Sequence, residues 1–90
     1  MSAEAREASM HARGMALMYI DFEMKSKYFG IFPNQRSRWY AHLSRKHVEF
    51  SEKLTTCEDA QSCQEQLAEF DRFSEDLARM ARDGVIGTPP

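Results

Sequence analysis

Three histidines, two cysteines and a scatter of carboxylates are the side chains here best suited to holding a metal or moving a proton. His42 and His47 stand five residues apart, which turns them to different faces of a helix. Glu7 and His11 stand one helical turn apart, half of a metal site that no further pair completes. No Glu-x-x-His element of the kind that builds di-iron bundles occurs. Cys57 and Cys63 lie six residues apart, again with no second Cys/His pair to complete four ligands. Both fall near a helical seam, so free buried thiols acting as small apolar residues are expected, with a regulatory disulfide as the alternative. Asp71, Glu75 and Asp76 belong to a solvated face, and no glycine-rich phosphate loop is present. The expectation is a protein without enzymatic activity, metal or cofactor.

The elements around these residues are helical. Leu43, His47, Phe50, Leu54 and Cys57 follow one another in steps of 4-3-4-3. Cys63, Leu67, Phe70, Ser74, Leu77, Ala81 and Gly84 continue the same alternation. A mean step of about 3.5 residues keeps each set on one side of a helix and is the seam spacing of helices packed side by side. The polar break Thr55–Asp59 between them supplies capping residues. Gly30 and Pro33 mark an earlier break, and Asn34 is placed to cap the helix after it. The fold expected is all-α: helices over about 3–29, 36–56 and 59–83, the last two an antiparallel hairpin, with 85–90 a flexible tail. Ser2 is the expected cap of the first helix and Gly84 the terminator of the last.

The first helix is too apolar for a simple hairpin arm. Met15, Met18, Phe22 and Phe29 share one face, and Leu17, Ile20, Met24, Tyr28 and Ile31 an adjacent one. An arc that wide must be covered on more than one side, by a bundle or by another molecule. Met15, Leu17, Met18, Ile20, Phe22, Met24 and Phe29 are therefore the expected interface, serving self-association as a dimer or tetramer, or an apolar surface. Ninety residues bury a small core, which also favours an oligomeric bundle. Charge is unevenly placed: residues 35–54 carry five basic and two acidic side chains, residues 55–90 three basic and eight acidic. Opposite signs on consecutive helices favour their pairing. With a net charge of −2, nucleic acid is not an expected partner. No 18-residue apolar span and no leader-like start occur, so a cytoplasmic location without a transmembrane segment is expected.

The run Arg38-Trp39-Tyr40 through Phe50-Ser51-Glu52-Lys53-Leu54, then Cys57-Glu58-Asp59, then Phe70, resembles the phasin family. Phasins are small bacterial helical proteins that coat polyhydroxyalkanoate storage granules. Their hairpin segment ends one helix in a small residue plus cysteine, turns at a Ser/Asp-type cap and places an aromatic about a dozen residues on. Cys57, Asp59 and Phe70 take those places, and Asp76 stands near the acidic positions that follow. Leu67 replaces a glutamine and Ser62 a glutamate common in the family. The resemblance spans roughly residues 36–83. It implies a structural protein that covers a polyester or lipid-like surface with an amphipathic helical face. Without the resemblance, the same face fits a small helical adaptor or regulator of another protein.

Overall fold

The computed structural model describes residues 3–84. The expected Ser2 cap and the expected tail over 85–90 lie outside the described residues. Three helices make up the fold: α1 Ala3–Ser26, α2 Gln35–Thr56 and α3 Ala60–Arg82. Among the described residues there is no strand, only an isolated bridge between Tyr28 and Phe32.

The ends of the helices follow their side chains. Asn34 Oδ1 accepts from the Ser37 amide at 2.8 Å, and Ser37 Oγ accepts from the Asn34 amide at 2.8 Å, a reciprocal capping box. The Asn34 side-chain amide also donates to the carbonyl of Ser26, the last residue of α1. One asparagine thus starts α2 and satisfies the end of α1. Asn34→Ala removes both functions and is expected to cost about 1–2 kcal/mol, read as a lowered urea midpoint with unchanged slope. No shift in the midpoint would show that the cap contributes nothing. Asp59 caps α3 through the Ser62 amide at 2.7 Å, and Gly84, at φ +74°, follows its end.

α1 stops at Ser26, three residues short of the expected end. Phe29 and Gly30 both take positive φ, +55° and +75°, and the Ile31 amide donates to the Tyr28 carbonyl at 3.1 Å. Two left-handed central residues closed by that bond form a tight I′-type turn, which cannot continue a helix.

α1 and α2 run antiparallel in close contact. Ala5, Ser9, Ala12, Ala16 and Tyr19 are the buried residues of α1, spaced 4-3-4-3. They face Ser37, Ser44 and Ser51, buried on α2 at intervals of seven. Small side chains let the backbones approach, and hydroxyls bridge them. Ser9 Oγ donates to the Ser51 carbonyl at 2.9 Å and lies 2.7 Å from Thr55 Oγ1, while Ser44 Oγ donates to the Ala16 carbonyl at 3.2 Å. The alanines of α1, strong helix formers that bury little surface of their own, are therefore part of the closest interface of the fold.

α3 returns antiparallel to α2 and covers the large side chains between the three helices. One cluster joins Ala5, Ala12, Leu54, Cys57, Cys63 and Phe70, with Phe50, Leu67 and Phe73 against it. A second joins Tyr19, Trp39 and Leu43, with Met15, Met18, Leu77 and Met80 against it. Packing is looser here. A cavity of about 140 Å³ remains between α2 and α3, bordered by Trp39, His42, Leu43, Phe73, Asp76, Leu77 and Met80. Trp39 Nε1 is buried with no hydrogen-bond partner among the described residues.

Cys57 and Cys63 are not the free thiols expected from their place on the seam. They form a disulfide with Cα atoms 5.2 Å apart. Cys57 leaves the helix in an extended conformation, and Cys63 lies in the first turn of α3. That turn brings the two residues into bridging range, which a six-residue spacing alone does not reveal.

Candidate functional site: an open apolar stripe and its turn

The arc expected on the first helix divides in two. Met15 and Met18 are half-buried and pack into the second core cluster. Phe22 is engaged within the chain, its ring 6.0 Å from Tyr19 and 5.4 Å from Tyr40. Met15 and Met18, expected to present a free face, thus pack against the bundle, while Phe22 keeps its outer side exposed beside Ile20. Phe29 is not on the helix at all. Leu17, Ile20 and Met24 remain exposed on the outer side of α1, with Met10 in line one heptad before Leu17. Methionine and leucine at 10 and 17, then isoleucine and methionine at 20 and 24, make a stripe in 7-3-4 steps.

The stripe runs into the turn. Tyr28, Phe29, Ile31 and Phe32 are all exposed, Phe29 at 93% of its surface. Holding a phenylalanine at positive φ costs about 1 kcal/mol relative to glycine or asparagine. Lys25 pairs with Asp21 at 2.8 Å and Lys27 with Glu23 at 3.7 Å, so the end of α1 is electrically balanced. Arg36 and Arg38, in the first turn of α2, are exposed and take part in no ion pair among the described residues.

The residues expected along the hairpin seam come together inside the protein. Leu43, His47, Leu54, Cys57, Cys63 and Phe70 are buried, and Phe50, Leu67 and Leu77 half-buried. Ser74, Ala81 and Gly84, further along the second stripe, are exposed. His47 sits against Tyr19, Phe70 and Phe73 at ring separations of 5.3, 6.0 and 5.3 Å. Its Nδ1 donates to the Leu43 carbonyl at 2.7 Å, which fixes the proton on that nitrogen.

Burial holds the His47 pKa below its ordinary value. The Leu43 carbonyl pulls it up and the nearby His11 down. His42 is also lowered, by burial first and then by Lys46 and Arg45, with Glu49 opposing. A base with a depressed folded pKa stabilises the fold above its unfolded value of 6.5, and that stability is lost as pH falls through the folded value. Within that window the unfolded chain binds the extra proton. Stability to urea is therefore expected to fall as pH drops below about 6.5, mostly through the buried His47 and by at most ~1.4 kcal/mol per pH unit for that group, with the more exposed His42 adding less. In His47→Gln the dependence should shrink to what His42 leaves. A flat profile in the wild type would exclude the mechanism.

No three potential ligands among His, Cys, Asp and Glu converge among the described residues. No helix among them is long and apolar enough to cross a membrane. Glu7 and His11 are both exposed on α1. The surface that stands out is the outer stripe of α1 with the turn at its end. Comparison with family models, with curated proteins and with solved structures finds no match to this chain.

Proposed function

We propose that this protein is a non-enzymatic, phasin-type coat protein that covers an apolar polyester granule in the cytoplasm through the outer face of α1. The observation that carries the reading is the exposed stripe Met10, Leu17, Ile20 and Met24, continuous with the turn and turned away from the small-residue seam. A helix that spends one face on its own bundle and keeps a second apolar face open has the amphipathic form needed to lie on an apolar surface. Each large side chain that leaves water contributes about 2 kcal/mol, so four together hold a small protein on a granule. Arg13, between Met10 and Leu17 on that side, has a stem long enough to keep its charge in water while the stripe is covered.

In solution the same stripe pairs copies of the chain, and the dimer or tetramer so formed competes with the granule for it. Sedimentation equilibrium at micromolar concentration is expected to give a mass above the 10.4 kDa of one chain. Leu17→Ser/Ile20→Ser leaves both core clusters untouched, so it should keep the wild-type helix content. In cells that hold polymer granules, the wild type is expected in the granule fraction and this variant in the soluble one. Equal partitioning of the two, or absence of both from the granules, would overturn the reading.

A further inference from the structure

We infer that the turn over residues 28–32, with Arg36 and Arg38 beside it, is a wedge that enters the headgroup layer of an anionic phospholipid surface. This goes beyond the coat function. It concerns the turn and its arginines rather than the helical stripe that leads into it, and a charged lipid rather than an uncharged polymer.

Three observations meet at this turn. The first is its composition and exposure: Tyr28, Phe29, Ile31 and Phe32 all project from one tight bend. Aromatic and aliphatic side chains together suit the boundary between headgroups and acyl chains.

The second is the state of the backbone. The Tyr28 amide donates to the Phe32 carbonyl at 2.9 Å, and the Phe32 amide to the Tyr28 carbonyl at 3.0 Å. The Ile31 amide reaches the Tyr28 carbonyl at 3.1 Å and the Gly30 amide the Lys27 carbonyl at 3.2 Å. Four of the five amides of residues 28–32 are satisfied this way, that of Phe29 being the exception, which leaves little bare backbone for a low-dielectric phase to penalise. Phe29 is held at positive φ with nearly all of its surface exposed, so the bend presents this side chain at the cost of an unfavourable conformation.

The third is charge. From Met24 to Val48 the chain contains no Asp or Glu but has Lys25, Lys27, Arg36, Arg38, Arg45 and Lys46. Asp21 and Glu23 balance the two lysines, which leaves Arg36 and Arg38 as the uncompensated charge nearest the turn. The end of α3 adds little, since Asp76 pairs with Arg79 and Asp83 adjoins Arg82.

An anionic lipid surface matches the apolar tip and its cationic flank at once. A second copy of this turn would bring like charges together, and a nucleic acid would give Ile31 nothing to stack on.

The test uses the full chain and sedimenting vesicles, of phosphatidylcholine alone or with about a third phosphatidylglycerol. The wild type is expected to bind the anionic vesicles and to be released by salt. Phe29→Asn suits the left-handed backbone, so it should fold at least as well while its partitioning drops at least tenfold. Arg36→Gln/Arg38→Gln should weaken binding about fivefold per charge. No binding by the wild type, or undiminished binding by folded Phe29→Asn, overturns the wedge. Salt-sensitive retention on nucleic acid with no vesicle binding overturns it in favour of a nucleic-acid contact. Polyester granules separate the two ideas: a wild type that coats granules but ignores anionic vesicles sinks the wedge alone, and one that ignores both sinks the coat function as well.

Discussion

Ala12→Leu is expected to destabilise the protein by about 3 kcal/mol or more, a large share of the ~5–10 kcal/mol available to a chain of this size. Ala12 is fully buried in the seam where α1 meets α2. On either side, Ser9 and Ser44 send hydroxyls to carbonyls of the opposite helix, at 2.9 and 3.2 Å. A leucine at this position has no groove to enter, because Ala12 is fully buried beside the serines of α2 and already packed into the cluster with Leu54 and Phe70. The helices must separate to admit it. Separation breaks the hydroxyl bridges and strands buried oxygen atoms, so the overpacking cost is compounded by lost hydrogen bonds. Urea unfolding followed by circular dichroism would measure the loss. A variant within about 1 kcal/mol of wild type would mean that the two helices do not approach as closely as the serine bonds require.

The contrast between this seam and the one on the other side of α2 explains what was legible in the sequence. Leu43, His47, Phe50 and Leu54 announce an interface because large apolar residues at helical spacing have few other uses. The three-helix, all-α architecture follows from them and from the breaks at Gly30–Asn34 and Thr55–Asp59. Ala5, Ala12 and Ala16 announce only helix, and Ser37, Ser44 and Ser51 announce no interface, although the serines recur every seven residues. Hydropathy weighs the side chain that is buried and not the backbone that a small side chain allows to approach. The same blindness affects the interface expected on α1. Once α1 turns its small residues to α2, Met15 and Met18 are carried against the bundle, and Leu17, Ile20, Phe22 and Met24 are left exposed. Phe29 was legible as an apolar interface residue on the first helix but not as a left-handed turn residue, since phenylalanine is a rare choice there.

Reduction of the Cys57–Cys63 bridge is expected to cost about 2 kcal/mol and to release α3 before the rest of the fold. The magnitude follows from loop closure: a sequence separation of six encloses a short loop, near the low end of what a disulfide contributes. The location of the effect follows from packing. α1 and α2 hold each other through backbone-proximal hydroxyl bonds, whereas α3 is held by Phe70, Phe73 and Leu77 beside a cavity of about 140 Å³. With the bridge open, Asp59 still caps α3, so the helix can persist as a helix while its docking weakens. Hydrogen exchange should then show amides of 60–82 losing protection in reductant while those of α1 and α2 keep most of theirs. Cys57→Ala/Cys63→Ala should behave like the reduced protein in either redox state, which separates the bridge from other effects of the reductant. Loss of protection spread evenly over all three helices would show one cooperative unit, and no loss would show that packing alone holds α3. Release of α3 would uncover Phe70, Phe73 and His47, the rings that meet between α2 and α3.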